Sequence, residues 1–571
     1  MLAQSLWALS ALFLLSLPST LAQSIQIQLS FDTPVTLTGG NFSTTSTPLV
    51  FSLPSSSQIT ISIALCAAAS GTPPQIYVTN SSSDSQVVIP GPAGGLDVFE
   101  VTFNSLGLGN FTLDLLTGDP AAGVLAVYGG TTSDSLEIGV SQGGERLLLC
   151  LDSSTQQTHV SSSSPIIKAT EPLHAPLGDL PFFADSTANQ ALLFSPPFLP
   201  PAPDAEATYP NYTLPQANTT APDPPSTMPN LTLFLAPLDA GLATTTTLPQ
   251  TACAIRARVM GDASTAQSAQ VLQEQLWLRD ETGWRREWLV GRLAPLTNYS
   301  VYAIQDGTRL SGPIYFATKS GAYPPLALFF LCVRLLRCGC VWVGVVASFS
   351  CQLVHALPYC PTTAYSMPLP DPPSNALAYD ASNLPDNLTT PLLSYLTNFT
   401  TSLLTVACGR DFYSPLQTCA DCQLAYRRWL CAVSLPRCGE FPLLNDNSNN
   451  NNNNDTPSGP QQQQQQQGAL AVPLPPPPPA LQPQPSGTPW RNPALGNATA
   501  DYTVLLPCVE TCQAADRACP IFLGFKCPRV ETTAGSSYGV GFIDSVDADR
   551  PGGGVVGGAQ DRWGNLFCNG S

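Results

Sequence analysis

Five cysteines lie close together between residues 408 and 438, and their chemistry limits how this part of the chain can fold. They are Cys408, Cys419, Cys422, Cys431 and Cys438, and the segment from the third to the fourth reads C-Q-L-A-Y-R-R-W-L-C. In a reducing compartment a C-x2-C pair such as Cys419 and Cys422 binds zinc, whereas in an oxidising compartment cysteines form disulfides. The fold of this segment therefore depends on where the protein resides.

The N-terminus and the glycosylation motifs both indicate the secretory pathway. Residues 1–22 are predicted to be a signal peptide, because Leu6 to Leu17 is apolar and small residues precede a cleavage site after Ala22, although no Lys or Arg occurs before Arg146. Twelve N-x-S/T acceptors predict heavy glycosylation. They are Asn41, Asn80, Asn110, Asn211, Asn218, Asn230, Asn298, Asn387, Asn398, Asn454, Asn497 and Asn569. This oxidising compartment favours disulfides over zinc for the eighteen cysteines.

Size and charge exclude some classes of function. A chain of 571 residues, 43% of them hydrophobic, is predicted to hold two to four domains with apolar cores. The 39 acidic and 22 basic residues give a net charge of −17, which argues against a nucleic acid partner. Only three histidines occur, His159, His174 and His355, and none follows the G-x-S-x-G match at Gly535–Gly539 as a hydrolase would need. We therefore predict no enzymatic activity, no cofactor and no metal site.

Residues 23–180 and 181–320 are predicted to form two β-rich, sandwich-like domains. Short runs with period-two alternation, such as Q-I-T-I-S-I at 58–63, are separated by Gly, Pro, Ser and Asn. In the second domain, residues 293–303 resemble the strand entry of fibronectin-type sandwiches, where the Tyr299 hydroxyl would bond back to the backbone as a tyrosine corner. Residues 263–278 are predicted to be helical, with four residues near one side of the helix: Val271, Leu272, Gln275 and Leu276.

An apolar segment at 325–349, within a predicted insertion at 321–350, has two alternative explanations. As a membrane helix it would place Arg334 and Arg337 near the bilayer centre at about +2.5 to +3.5 kcal/mol each, which makes insertion roughly neutral. As an unspliced intron in the gene model it would join its flanks smoothly when removed. That removal also deletes Cys332, Cys338 and Cys340 and leaves an odd number of cysteines. Both explanations stay open.

Residues 351–571 are predicted to form a helical domain cross-linked by disulfides, in the style of frizzled-type cysteine-rich domains. One helix carries Cys422, Tyr426, Trp429, Leu430 and Val433 near one side and ends near Pro436, and a second carries Cys508, Cys512, Ala515 and Cys519 on one face. A disordered insertion with Asn, Gln and Pro runs is predicted at 445–489. The predicted fold class is thus α+β, with sandwich-like domains preceding this module.

Twelve cysteines of this domain are disulfide candidates. They are Cys351, Cys360, Cys408, Cys419, Cys422, Cys431, Cys438, Cys508, Cys512, Cys519, Cys527 and Cys568. The ten from Cys408 onwards are enough for five bridges, and Cys351 with Cys360 would close a sixth locally. The spacing does not give the connectivity. For Tyr426, Trp429 and Arg437, packing against the disulfides is preferred over direct contact with a partner.

Several motifs in this region resemble the fungal stretch-activated calcium-channel accessory subunit, the Mid-type glycoprotein family. They are D-F-Y-S-P at 411–415, C-A-D-C-Q-L-A-Y-R-R-W-L-C-A-V at 419–433 and L-P-R-C at 435–438, with N-Q-A-L-L-F-S-P-P-F at 189–198, Y-P-N-Y-T-L-P at 209–215 and L-P-Y-C at 357–360 upstream. The resemblance covers most of residues 180–568.

The resemblance implies a non-pore subunit on the extracellular side of the plasma membrane, with the endoplasmic reticulum as a second location. Its implied partner is a large four-repeat calcium-channel pore subunit, on which the cysteine-rich module would dock to support calcium influx. The alternative is a cell-surface adhesin or ligand-binding glycoprotein with a cysteine-rich module, which the predicted sandwiches and glycans favour. A secreted hydrolase ranks third, because the histidines that it would need are missing.

Overall fold

The computed structural model describes residues 26–570 with gaps. The gaps are 43–46, 57, 68–72, 80–81, 84–85, 88, 96, 115–122, 132, 143–171, 202–213, 215–221, 239–248, 262–269, 321–350, 407, 409–415, 441–479, 530–532, 542–558 and 561–563. The described residues form two compact units. The first draws on Met1–Pro176, Thr244–Ala257 and Gly307–Leu310, and the second on Leu177–Ala243, Arg258–Asp306 and Ser311–Ser571.

The first unit contains a β-sandwich. Its strands are β1 (Gln26–Gln28), β2 (Val35–Leu37), β3 (Leu49–Ser52), β4 (Gln58–Ala67), β5 (Gln75–Thr79), β6 (Ser82–Ser83), β7 (Gln86–Val87), β8 (Val98–Val101), β9 (Leu108–Asp114), β10 (Val124–Tyr128) and β11 (Ser135–Gln142). One sheet has the order β1-β3-β10-β5-β8 and the other β2-β11-β4-β9. The alternation of β4 places Ile59, Ile61 and Ile63 in the core that both sheets share. This confirms the predicted β-rich N-terminal fold.

The first unit also contains a disulfide whose two cysteines were not among the named candidates. Cys66 at the end of β4 is bonded to Cys253 in helix α1 (Ala252–Gly261). The two cysteines are 187 residues apart in the chain. Spacing gives no sign of so distant a pair, which explains why neither cysteine was a candidate.

The second unit begins with a seven-stranded sandwich. Its strands are β12 (Phe182–Ser186), β13 (Ala191–Phe194), β14 (Leu231–Pro237), β15 (Gln270–Asp280), β16 (Gly283–Gly291), β17 (Asn298–Gln305) and β18 (Arg309–Ala317). The sheets have the orders β12-β13-β16-β15 and β14-β17-β18, and Trp288, Tyr299 and Phe316 lie between them. The Tyr299 hydroxyl accepts a hydrogen bond of 2.8 Å from the Ala294 backbone N–H. The predicted tyrosine corner is therefore confirmed.

The predicted helix at 263–278 is wrong from residue 270 onwards, where the chain forms β15. Residues 262–269 lie outside the described part of the chain. β15 pairs with β16 with register shifts between Val271 and Gln273 and between Leu278 and Asp280. Each bulge inserts an extra residue and disturbs the period-two pattern, so the apolar residues imitate helical spacing.

The rest of the second unit packs on the outer face of this sandwich. Strands β19 (Gln352–Val354) and β20 (Tyr365–Met367) form a small sheet. Leu353 and Ala364 share a hydrophobic cluster with Phe194, Trp277 and Leu289 of the four-stranded sheet. The ranges 181–320 and 351–571, predicted as separate domains, are thus parts of one unit because they share this core.

Helices and a three-stranded sheet complete the cysteine-rich module. They are α2 (Asp386–Leu403), α3 (Cys419–Ser434), β21 (Arg437–Cys438), β22 (Leu481–Gln484), β23 (Tyr502–Leu505) and α4 (Val509–Ala518), and the sheet order is β21-β23-β22. The predicted disordered insertion extends too far, because Leu481 is buried and pairs with Leu505. Residues 441–479 lie outside the described part of the chain. Together with the sandwiches, these elements confirm the α+β, cysteine-rich fold class.

None of the helices that the structure describes is both long enough and apolar enough to cross a bilayer. The apolar segment at 325–349 and the predicted signal peptide at 1–22 lie outside the described residues. Both assignments remain predictions.

Candidate functional site

Helix α3 forms the centre of the cysteine-rich module, and its ends follow from the local sequence. Thr418 caps the N-terminus: its hydroxyl accepts from the Asp421 backbone N–H, and the Asp421 carboxylate accepts from the Thr418 N–H at 2.7 Å. Such a capping box satisfies two backbone donors that the first turn leaves unpaired. The helix ends at Ser434, two residues before Pro436, as predicted.

The structure places all twelve candidate cysteines of this module in six disulfides. The pairs are Cys351–Cys438, Cys360–Cys431, Cys408–Cys419, Cys422–Cys519, Cys508–Cys568 and Cys512–Cys527. The predicted local bridge between Cys351 and Cys360 is wrong, because each of these residues pairs with a cysteine at the end of α3 or in β21. Sequence separation does not reveal these pairs, since packing of the elements brings them together.

Tyr426 and Trp429, two of the predicted partner contacts, belong to an aromatic cluster. The Tyr426 ring stacks on Phe399 of α2 with centroids 3.6 Å apart, and Trp429 meets Phe525 edge-on at 4.8 Å. The Trp429 indole N–H donates to the Tyr538 hydroxyl at 3.0 Å. Burial raises the pKa of Tyr426, with Tyr395 adding to the effect. Both side chains are half-buried, so packing accounts for most of their surface.

Arg437, the third predicted contact, is buried in an ionic network. Its Nε donates to Asp185 Oδ2 at 3.1 Å, and Lys319 Nζ donates to Asp185 Oδ1 at 2.7 Å. Ser366 donates to the same carboxylate through its backbone N–H and its hydroxyl, each at 3.0 Å. Arg437 is only 4% exposed, so its side chain is used in packing, the role preferred from the sequence over direct contact with a partner. A buried cation is tolerated only beside such a counter-charge.

Charge compensation sets the protonation of this network. Burial by itself would raise the pKa of Asp185, but the charges of Arg437 and Lys319 outweigh it and the pKa is lowered. The carboxylate therefore stays ionised wherever the protein is folded near neutral pH. The network joins β12 of the sandwich, Ser366 of β20 and Arg437 of β21, and so fixes the module to the sandwich within the second unit.

A second buried pair lies in the same unit. His355 Nδ1 lies 2.6 Å from Glu287 Oε1, and Gln275 donates to the other oxygen of Glu287 at 3.0 Å. Burial lowers the pKa of His355, but the hydrogen bond and charge of Glu287, aided by Asp380, outweigh it and the pKa is raised. His355 is therefore charged at pH values where a free histidine has begun to lose its proton.

We expect His355 to make stability depend on pH. Because its folded pKa lies above the unfolded value of about 6.5, its contribution is fully present below that pH and disappears as pH rises through the folded pKa. Each pKa unit of difference corresponds to about 1.4 kcal/mol. Guanidinium unfolding at a series of pH values from about 6 to 9 should show stability falling, and His355→Gln should flatten that slope.

His174 provides the matched control for this measurement. Burial lowers its pKa to about 4, so it stays neutral over the whole range. From about pH 7.5 to 9 this histidine is neutral in the unfolded chain as well, so His174→Gln should change stability by a similar amount at each pH in that part of the range. A slope that His355→Gln leaves unchanged would show that another group causes the pH dependence.

The glycosylation acceptors differ in exposure. Asn298 is half-buried. Six acceptors are exposed: Asn41, Asn110, Asn230, Asn387, Asn398 and Asn497. Asn80, Asn211, Asn218 and Asn454 lie outside the described residues. Asn569 is fully buried, and its Nδ2 donates to the Ala432 carbonyl at 3.1 Å. A glycan on that nitrogen is incompatible with this packing, so the prediction for Asn569 is corrected.

The module also exposes a pair of apolar residues that was not predicted from the sequence. Ile521 and Phe522, just after α4, have exposed fractions of 85% and 66%. Leu416, two residues before the cap of α3, is also 85% exposed. Their exposure is high even beside the other exposed apolar residues of the module, such as Tyr395 at 59% and Val540 at 52%. The signal in the sequence is the pair of adjacent large apolar residues, Ile521 and Phe522, in the short segment between Cys519 and Cys527.

Comparisons with known proteins show which family the sequence is similar to. A family model described as "Stretch-activated Ca2+-permeable channel component", Mid1, matches residues 168–552. "Stretch-activated cation channel MID1" of Cryptococcus neoformans var. grubii is 33% identical over 420 residues, which cover 70% of this chain and 60% of that protein. The chain thus matches less than two thirds of this relative's length.

Two further relatives match shorter segments. "Stretch-activated cation channel yam8" of Schizosaccharomyces pombe is 29% identical over 208 residues, 35% of each chain. "Stretch-activated cation channel MID1" of Saccharomyces cerevisiae is 28% identical over 198 residues, 33% of this chain and 28% of that protein. These relatives are named as channels and not as enzymes. Because the family model covers more than half of the sequence, the chain belongs to the Mid1 family of stretch-activated Ca2+-permeable channel components.

Proposed function

We propose that this protein is a non-pore accessory subunit of a plasma-membrane stretch-activated calcium channel. Its cysteine-rich module docks on the extracellular side of the pore-forming subunit, a large four-repeat protein, and supports calcium influx. The observation that carries the proposal is the family match over 168–552, which includes the second sandwich and most of the disulfide module.

The geometry of the module supports a docking role over a catalytic one. The Cys422–Cys519 disulfide joins α3 to α4, and the Asp185 network holds Arg437 just after α3, so less entropy is lost when this surface is bound. The one histidine that the structure describes in this module, His355, is used in a buried pair with Glu287. A conducting path needs several spans or a closed oligomer, so we expect modulation of a partner's current.

A glycan placed beside α3 tests where the partner docks. Leu416→Asn creates a new acceptor, because Thr418 stands two residues later, and the side chain is 85% exposed. We expect this variant to be secreted normally. The amount of pore subunit that co-purifies with it should fall by about tenfold or more. Stretch-evoked calcium uptake should fall towards the level of cells that lack the protein. Uptake is measured with a calcium indicator.

The matched control is Glu100→Asn, an exposed position on β8 of the first unit where Thr102 completes the acceptor. It should leave both readouts at the wild-type level. Co-purification that survives a confirmed glycan at position 416 would remove this face from the docking surface.

Wild-type protein that captures no channel subunit would count against the accessory role itself. Loss of the protein that changes adhesion and leaves calcium uptake intact would favour an adhesin.

A further inference from the structure

Residues 519–527, C-P-I-F-L-G-F-K-C, form a loop that disulfides hold at both ends, and we call it the clamped loop. Cys519 is bonded to Cys422 of α3, and Cys527 is bonded to Cys512 of α4. The loop therefore has two covalent attachments to two different helices. Its backbone is held in place before any ligand arrives, which is the condition for low-cost binding.

Side chains of the clamped loop divide into inward and outward groups. Leu523 packs against the cluster around Leu403 and Cys422, and Phe525 packs edge-on against Trp429. Ile521 and Phe522 point away from this core, with exposed fractions of 85% and 66%. The short 3-10 turn Ile521–Leu523 ends at Gly524, whose φ of 71° is a left-handed conformation that favours glycine. The turn thus presents two large apolar side chains at a convex tip.

The charges beside the tip are opposite to those of the chain as a whole. Arg517, Lys526 and Arg529 are exposed, and Asp516 is the one acidic residue between positions 516 and 529. The complete chain has 39 acidic residues against 22 basic ones. In addition, no N-x-S/T acceptor occurs between residues 498 and 568, so none of the predicted glycans is attached to the loop itself or to the sequence that flanks it.

An apolar tip flanked by cations fits a phospholipid surface better than a protein pocket. Lipid accepts a convex tip without a preformed concave site: the apolar side chains enter the boundary between headgroups and acyl chains, and Lys and Arg pair with phosphates. A protein partner usually requires a wider apolar patch surrounded by a polar rim. Here the exposed apolar part of the loop consists of two neighbouring side chains.

We propose that the clamped loop inserts Ile521 and Phe522 into the outer surface of the phospholipid bilayer, with Arg517, Lys526 and Arg529 facing the phosphates. The inference rests on the proposed function in one respect, that the protein resides beside a membrane channel. It adds a direct contact between this chain and lipid. Through a rigid loop, such a contact would couple the module to the membrane in which tension arises.

Flotation of the purified full-length chain with vesicles tests the proposal. Two compositions are used, phosphatidylcholine alone and phosphatidylcholine with a minor fraction of phosphatidylserine. Ile521→Ser combined with Phe522→Ser should lower the partition coefficient on both by on the order of tenfold. Lys526→Glu should weaken binding about fivefold on the anionic vesicles and less on the neutral ones. Added salt should reduce the effect of the charge variant.

Leu377→Ser is the matched control, because Leu377 is another exposed apolar residue of the second unit, at 45%, outside the clamped loop. It should float as the wild type does. Non-reducing peptide mapping of the six module disulfides verifies that each variant is folded. Equal flotation of the double variant and the wild type, or no flotation of the wild type, would overturn the lipid contact.

Co-purification separates this proposal from the proposed function. If the double variant loses the pore subunit while its flotation is unchanged, the loop contacts protein, and the lipid inference fails while the accessory role stands. If the wild type floats with vesicles, the double variant does not, and the wild type captures no channel subunit, the lipid inference stands and the accessory role fails.

Discussion

Asp185→Ala is expected to lower the free energy of unfolding of the second unit by about 3–5 kcal/mol. The side chain is fully buried and accepts from Arg437, Lys319 and Ser366. Its removal takes away the counter-ion that Arg437 and Lys319 share, and the penalty for leaving buried cations short of negative charge is larger than the value of the intact pair. Guanidinium unfolding followed by tryptophan fluorescence measures the loss, because Trp277, Trp284 and Trp288 lie in the same sandwich.

Two further variants show whether charge is the cause. Asp185→Asn keeps the shape of the side chain, so a loss similar to that of Asp185→Ala would assign the effect to charge. Glu281→Ala removes the partner of Arg428 in an exposed ion pair of 3.2 Å and should cost about 0–1 kcal/mol. Equal losses for Asp185→Ala and Glu281→Ala would contradict the role given to the network.

Replacing Cys422 and Cys519 together by alanine is expected to separate the two halves of the cysteine-rich module. Among the cysteines that the structure describes, this is the only bridge between residues 351–438 and residues 508–568. The bridge spans 97 residues, for which the chain-entropy model gives about 4–5 kcal/mol. Secreted yield should fall strongly, since α3 and α4 would be held together by packing alone.

A protease site placed in the glutamine run at 461–467 makes the test direct. After cleavage, the wild type should stay one band on a non-reducing denaturing gel, and the double variant should give two fragments. The matched control replaces Cys512 and Cys527, 15 residues apart, and should remain one band while losing about 3 kcal/mol. A wild-type chain that falls into two fragments would show that this disulfide does not form.

Local patterns in the sequence were enough to predict most of the elements. The alternation at Ile59, Ile61 and Ile63 predicted a sandwich strand, and the helical spacing of Cys422 and Leu430 predicted α3. Both predictions are correct because a strand or helix with one buried face repeats its apolar residues with the period of its own geometry. The same rule failed for β15, where two bulges disturb the alternation. The sequence therefore predicts whether a segment is a helix or a strand where one face of it is buried and, for a strand, where the hydrogen-bond ladder has no bulge.

Properties that depend on distant residues could not be predicted in this way. Nothing near Arg437 in the sequence indicates Asp185, which lies 252 residues away. Likewise, the partners of Cys351 and Cys360 are decided by how α3 and β21 pack. A residue's neighbours in space are set by packing, so the sequence could favour a packing role for Arg437 but could not show that its partner is the buried Asp185 carboxylate.

By itself, the sequence determined that this is a disulfide-rich member of the Mid1 family with β-sandwiches before a helical module, because composition, period and motif are local properties of the chain. Only the tertiary structure decided which cysteines pair, which charges are buried, and that Ile521 and Phe522 form an exposed tip fixed by two disulfides. These depend on contacts between residues far apart in the chain, which form when the elements pack and exclude water.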